Sequence, residues 1–330
     1  MKIPQIIGAD LSKKSIDFIS HLSQEHLKTE NSTKGYLEFI RWLKHQKINC
    51  SMVMIVMEHI GLYSKQFERF LHQKGLTFTK VSGLAIKLST GLVRGKSDKM
   101  DAARIARYGH EKFKDLIVAQ PSNETLEQLK MLHSLRERLV KNRAALITAV
   151  KEYQETCGLK NSDIMIASQL QLIKGFTTQI TKIDSTMDNL IRSQSALKRN
   201  YDLLRSVKGV GPVLALATII KTSNFSCFND ARKFACLCGT APFEKTSGTS
   251  IRGKTRVSHY ADKRMKTLLD LAAKSAIQYD KELKEYYINR THNGKSKMST
   301  INVVRNKILG RMFAVIKRQT PFIDNYLQAA

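Results

Sequence analysis

Gln5-Ile-Ile-Gly-Ala-Asp10-Leu-Ser-Lys-Lys-Ser15-Ile-Asp-Phe-Ile-Ser20 consists of two short apolar runs joined by a polar turn at Ser12 to Lys14. It reads as a strand ending in a carboxylate, followed by its hairpin partner. Working outward, Met52 to Met57 is a continuous apolar run, bounded on both sides and closed by Glu58, as expected of a buried central strand. Between the two, Tyr36, Leu37, Ile40 and Leu43 recur at helical spacing and predict a helix over Thr33 to Gln46. Further helical stretches near Tyr63 to His72 and Asp98 to Tyr108 complete a mixed α/β domain over residues 1–120.

The carboxylates of this domain fall at its element ends. Asp10 closes the first strand, and Glu58 closes the apolar one, where a side chain emerges from the sheet. Asp98 and Asp101 lie three apart at a helix start and so share one face. Singly, each has an ordinary explanation, since strand-end acids are solvated and acids at a helix N-terminus complement its dipole. Gathered in space, four carboxylates repel unless divalent cations neutralise them, which points to Mg²⁺ or Mn²⁺. Two such ions about 4 Å apart activate an attacking oxygen and stabilise a leaving one in phosphodiester chemistry.

The charge balance independently favours a phosphate-rich partner. The 330 residues carry 55 Lys and Arg against 28 Asp and Glu, a formal net charge of +27. Such an excess repels itself, and a polyanion, nucleic acid first, neutralises it. No apolar run approaches the ~20 residues of a membrane span. Asp10, Lys13 and Lys14 interrupt any leader-like N-terminal hydrophobic region. Cys50, Cys157, Cys227, Cys236 and Cys238 are odd in number and lack paired zinc spacing. They read as reduced thiols of a cytoplasmic, prokaryotic, nucleoid-associated protein.

Residues 121–200 change character, with almost no glycine and long 3/4 apolar spacing. Leu132, Leu135, Leu139, Leu146 and Ala149 mark one long helix. In the next, Ile173, Ile180 and Met187 fall seven apart, as do Phe176, Ile183, Leu190 and Leu197. A heptad repeat predicts a coiled-coil arm, either an antiparallel hairpin or a pairing with another chain. Residues 201–330 read as a mostly helical domain, with 18 Lys and Arg against 6 Asp and Glu from Lys245 onward. Helices are expected over Asp262 to Tyr279 and Thr300 to Arg318, separated by a mobile loop from Asn289 to Ser299.

Two further motifs lie in this last region. Ser206-Val-Lys-Gly-Val-Gly-Pro212 joins two helices through Gly209 and Gly211, a helix-hairpin-helix-like pattern whose turn N–H groups and Lys208 can hold a phosphate. An ordinary turn with C-cap glycines has the same appearance. Cys238-Gly-Thr-Ala-Pro-Phe-Glu-Lys-Thr-Ser-Gly-Thr-Ser-Ile-Arg-Gly-Lys254 is a basic loop, in which Lys245, Arg252, Lys254 and Arg256 are candidate nucleic-acid contacts. On residues alone its Ser-Gly is a turn.

Gly8–Phe18 (GADLSKKSIDF), Val56–Tyr63 (VMEHIGLY) and Lys96–Ala106 (KSDKMDAARIA) resemble the three acidic motifs of the DEDD insertion-sequence transposases. This RuvC-like family includes a pilin-gene inversion recombinase and bridge-RNA-guided recombinases. The third motif, K-x-D-x-x-D-A, is the most specific. His59-Ile60 departs from the small residue and Thr that commonly precede the glycine, while Gly61 and Tyr63 are retained. Gly239-Thr-Ala-Pro242, Ser247-Gly248, the basic stretch and Lys263–Ala273 (KRMKTLLDLAA) are similar to the C-terminal domain of the same family, with Ala261-Asp262 in place of a common Gly-Asn.

The resemblance implies an RNase H/RuvC-like N-terminal fold with Asp10, Glu58, Asp98 and Asp101 as catalytic metal ligands. It further implies a serine nucleophile that forms a phosphoserine link to DNA, by position Ser247 with Ser250 its nearest rival. A structured guide RNA encoded by the element and a homo-oligomer, dimer or tetramer, are also implied. A serine hydroxyl needs activation; no histidine adjoins Ser247, and His259 is too remote in sequence to assign. Activation by metals of the acidic cluster requires the two domains to meet, within a chain or across a dimer. The arm favours the trans arrangement. Two other functions compete: a RuvC-like junction endonuclease that forms no covalent intermediate, and a non-catalytic nucleic-acid-binding scaffold.

Overall fold

The hairpin is present. In the computed structural model, which describes residues 4–91, 95, 97–120, 123–247 and 251–324, β1 (Gln5–Leu11) pairs antiparallel with β2 (Ser15–Ser20). The expected helices follow with small shifts at their ends. After β3 (His26–Glu30) come α1 (Thr33–His45), β4 (Val53–Glu58), α2 (Lys65–Gln73), β5 (Thr77–Val81), α3 (Gly83–Thr90) and α4 (Asp98–Glu111). The sheet runs β3-β2-β1-β4-β5, its first three strands antiparallel and β4 and β5 parallel to β1.

Period-2 alternation sorts the strand side chains between two layers. Ile7, Ala9 and Leu11, with Ile16, Phe18, Val53, Ile55 and Met57, face α1 and α2 and join the aromatic core of Tyr36, Phe39, Phe67 and Phe70. The intervening residues Ile6, Gly8, Ile19, Met54 and Val56 face α4, against Ala102, Ile105 and Ala106. Ser32 and Ser97 cap α1 and α4, their hydroxyls accepting from the N–H groups of Gly35 and Met100.

The layer between β1 and α4 is unusually thin. A Cβ on Gly8 would stand 2.2 Å from the Ala102 carbonyl oxygen, and one on Gly109 would stand 2.5 Å from Val56 Cγ2. Small residues at 102, 106 and 109 therefore let the helix lie almost on the strand backbone.

Contacts divide the chain into two compact units, Met1–Ser122 and Asn123–Ala330. The second unit begins with α5 (Glu124–Cys157) and α6 (Ile164–Arg192), an antiparallel hairpin. Its register is fixed by Arg136 on Asp184 at 2.5 Å, Arg143 on Thr177 at 3.2 Å, and Gln194 on Thr125 at 2.7 Å. Of the heptad positions, Ile180, Ile183 and Met187 are buried and Ile173, Phe176 and Leu190 half-buried. The remaining elements are α7 (Ser195–Ser206), α8 (Pro212–Thr222), α9 (Ala231–Leu237), β6 (Pro242–Ser247), β7 (Ile251–Val257), α10 (Lys263–Tyr279), α11 (Lys281–His292) and α12 (Lys297–Arg318). Leu204, Ala215, Phe234, Leu269, Ile308 and Met312 centre their core.

Two sequence expectations are corrected. The loop predicted over Asn289 to Ser299 shrinks to four residues, because α11 continues to His292 and the Ser296 hydroxyl caps α12 by accepting from Ser299 N–H at 3.3 Å. The basic Ser-Gly loop is drawn into a β-hairpin, β6 pairing antiparallel with β7. Its alternation of Thr, Arg and Val suits a strand, and the run was too polar to stand out as one.

The thin layer gives a stability prediction. Gly8→Ala is expected to lower stability by about 1–3 kcal/mol through overpacking. Gly175→Ala, in α6 with open space around the site, should be neutral or stabilising by up to about 1 kcal/mol. Thermal melting of the two variants checks the contrast; equal effects would contradict it.

Candidate functional site

Strand alternation selects which acids can meet. Asp10 and Glu58 end β1 and β4 on the side that α4 covers, two residues beyond Gly8 and Val56 respectively. Asp98 and Asp101 occupy the first turn of α4. The close approach of α4 to Gly8 brings this turn over the strand ends. Asp10 is pushed up to about 6, first by burial and then by the negative charges of Asp101, Asp98, Asp17 and Glu58. All four acids read from the sequence therefore share one electrostatic environment.

Asp17 is a fifth acid that sequence reasoning missed. It lies opposite Asp10 in the β1–β2 register and is 3% exposed. The signal was available, since pairing the two strands about the Ser12–Lys14 turn puts both carboxylates on one face. His26 Nε2 lies 2.8 Å from Asp17, and Lys28 Nζ bridges Asp17 at 3.3 Å and Asp98 at 3.4 Å. Asp17 and then Asp98 raise the affinity of Lys28 for its proton.

The other acids are also held. Arg104 donates to Asp101 Oδ1 at 2.6 Å and to the Gly95 carbonyl at 3.0 Å. The Glu58 carboxylate rests against Gly83 at the start of α3, where a Cβ would lie 2.0 Å from Oε1.

This set fits a hard divalent cation in its chemistry and charge. Its donors are carboxylate oxygens, the ligands Mg²⁺ and Mn²⁺ take, and Asp10 is raised by burial and then by the negative charge of its neighbours. The side chains are not drawn together as ligands, however: among the described residues no three His, Cys, Asp or Glu stand close enough to hold an ion. Lys28 and Arg104 supply the positive charge instead.

In the second unit, α7 and α8 form the expected hairpin. Gly209 has φ of 89°, and a Cβ there would stand 2.6 Å from the Ala272 carbonyl of α10. Glycine is required at this position by backbone and packing together. Lys208 is ion-paired with Asp324, while Gly211 caps α8 with open space about it. Ser247 is the last residue of β6, paired with Ile251. The side chains of Lys245, Ser247, Arg252 and Lys254, and the whole of Ser250, lie outside the described residues. Arg256 is exposed on β7 opposite Phe243. Among the described residues no helix is long and apolar enough to cross a membrane.

Comparison with known proteins covers both units. Residues 7–154 match a family model described as a transposase, of the DEDD type of IS110, and residues 201–288 match the transposase family IS116/IS110/IS902. The pilin gene-inverting proteins of Moraxella bovis and Moraxella lacunata are each 25% identical over 96% of this chain and 97% of their own length. An uncharacterized 43.6 kDa protein of insertion element IS110 from Streptomyces coelicolor is 22% identical over 49% of this chain and 39% of its own. With both halves matched in the family's order, the chain belongs to the IS110/IS116 family of insertion-sequence transposases.

Proposed function

We propose that this transposase is a metal-dependent DNA recombinase, whose residues 1–120 form an RNase H/RuvC-like catalytic domain. One observation carries the proposal: acids from β1, β4 and α4 converge electrostatically on Asp10 at one end of the sheet. The strand order β3-β2-β1-β4-β5, with three antiparallel strands followed by two parallel ones, supports the RuvC-like assignment. Residues 121–200 would serve as a coiled-coil arm and 201–330 as the helical transposase domain. DNA is the substrate, and a structured guide RNA and a homo-oligomer complete the family-based proposal.

Asp10, Glu58, Asp98 and Asp101 would hold Mg²⁺ or Mn²⁺, with Asp17 maintaining negative charge behind them. When bound, such ions activate the attacking oxygen and stabilise the leaving one. Ser247 is the proposed nucleophile. Its Oγ would form a bond to phosphorus as one P–O ester bond breaks, and the serine proton ends on the freed sugar hydroxyl. Attack by a hydroxyl of the partner strand would reverse these steps, rejoining DNA and restoring serine. Lys208, Gly209, Gly211, Lys245, Arg252, Lys254 and Arg256 are the proposed backbone contacts. Of these, Lys208 must first leave Asp324.

Strand cleavage of a substrate carrying the element ends tests these roles. Asp101→Asn should lower the rate by at least ~100-fold, equivalent to ~2.7 kcal/mol of transition-state stabilisation. Ser247→Ala should abolish the covalent protein–DNA adduct; full cleavage without an adduct would favour the junction-endonuclease function. Recovery of activity on mixing Ser247→Ala with Asp10→Ala chains is expected if the site assembles in trans.

Asp10 also makes stability depend on pH. Its folded value of about 6 exceeds the ordinary 3.8, so protonation favours the folded state. That stabilisation is full below about 4 and is lost as pH rises through 6. Calorimetry should therefore show Mg²⁺ raising the melting temperature more at pH 7.5 than at pH 5, and Asp10→Asn should weaken the difference. A Mg²⁺ effect independent of pH would count against ion binding at this cluster.

A further inference from the structure

The sheet has a second charged side that the acidic cluster does not use. On α1, the core-facing positions are Gly35, Tyr36, Phe39 and Leu43. At 100° per residue, Lys34, Arg41 and Lys44 fall on the opposite side together with the half-buried Glu38, flanked by Leu37. Lys47 follows in the next turn, and Arg69 projects from α2, which packs beside α1 through the Tyr36–Phe67 and Tyr36–Phe70 ring contacts. All five cations are exposed, and among the described residues none makes an ion pair or a side-chain hydrogen bond. Elsewhere in this unit, Lys28, Lys65, Lys80 and Arg104 are committed to carboxylates. Lys13, Lys14, Lys87, Lys99, Lys112 and Lys114 are exposed and, among the described residues, without an ion pair, but they lie scattered over other elements.

We infer that this α1–α2 surface is a docking site for the sugar–phosphate backbone of duplex DNA, separate from the DNA at the acidic cluster. The inference rests on the proposal that the protein processes DNA. Charge complementarity selects a polyanion, since five unpaired cations on one face repel one another until phosphates neutralise them. The burial of most aromatic rings on α1 and α2 favours paired nucleic acid. Tyr36, Phe39, Phe67 and Phe70 are turned into the core, and Trp42 is half-buried and stacked on Phe39, so these rings offer little to an unstacked base of the kind single-stranded RNA loops present. Contacts of this class position DNA without reading its sequence.

The geometry also separates the two sites. α1 and α2 cover one face of the sheet, and α4 with its acids covers the other. With the five-stranded sheet between them, a straight duplex seated at the acids cannot also run along the outer side of α1. The α1 surface must hold another duplex, or a bent-back segment of the same one. Recombination requires two DNA partners, and a two-sided domain can hold both.

The test is the triple variant Lys34→Gln/Arg41→Gln/Lys44→Gln in the full-length protein, compared with a charge-matched Lys141→Gln/Lys151→Gln/Lys160→Gln control on the arm. Binding of a 30-base-pair DNA duplex is titrated against salt without divalent ions, with a structured RNA hairpin of equal length in parallel. The expected result is at least a tenfold loss of duplex DNA affinity and a salt slope reduced by roughly 2 to 3, about 0.9 per phosphate contact removed. The control should retain most of its affinity, and because binding is read without divalent ions and therefore without cleavage, failure here is distinguished from failure of the catalytic proposal. Unchanged DNA affinity and slope, an equal loss in the control, or a loss confined to RNA would each overturn the inference. Unaltered thermal melting verifies that the substituted protein is folded.

Discussion

The contact between β1 and α4 governs the first unit. Gly8 has no room for a side chain because the Ala102 carbonyl lies over it, and everything about the acidic cluster follows from that separation. A helix one methyl group farther out would carry Asp98 and Asp101 away from Asp10. The burial and the mutual repulsion that together raise Asp10 would then weaken, and the site would lose its capacity to attract a cation. Packing in this unit and electrostatics at its site are one constraint, imposed by residues with almost no side chain: Gly8, Ala102, Ala106 and Gly109.

The cluster is balanced by protein cations. Lys28 spans Asp17 and Asp98, and Arg104 holds Asp101. The domain can thus fold with its acids close together and without five unscreened charges. Arg104 is the more constrained of the two, since it also donates to the Gly95 carbonyl. A ligand that takes over Asp101 would free one edge of the guanidinium while the other still holds the Gly95 carbonyl.

Much of this was legible in the sequence, for identifiable reasons. Strands β1, β2 and β4 showed through because their apolar runs are bounded by turn residues or acids, and α4 because Asp98 and Asp101 fall on a clear helical start. Asp10 and Glu58 were legible because each interrupts the apolar pattern at a strand end. Asp17 was not, because its significance lies in a cross-strand pairing, and sequence position alone gives no register. The β6–β7 hairpin was missed because its composition is that of a basic loop. The packing of Gly209 against the α10 backbone and Ala276 was not legible either. That neighbour is more than sixty residues distant in sequence, so no local pattern discloses it.

The α5–α6 hairpin has a mechanical consequence. At 1.5 Å per residue, the 29 residues of α6 extend roughly 43 Å. The hairpin joins the unit's core at its base through Leu129, Ile183, Met187 and Ile191. Arg136 and Arg143 bind its two helices together at Asp184 and Thr177, so its base half behaves as a stiff lever. From Ile183 to Ile164 the hairpin projects roughly 28 Å, so a turn of about 10° at the base would sweep the tip through about 5 Å. Small rearrangements around α7 and α8 are thereby converted into displacements as wide as a nucleotide, delivered far from where they arise.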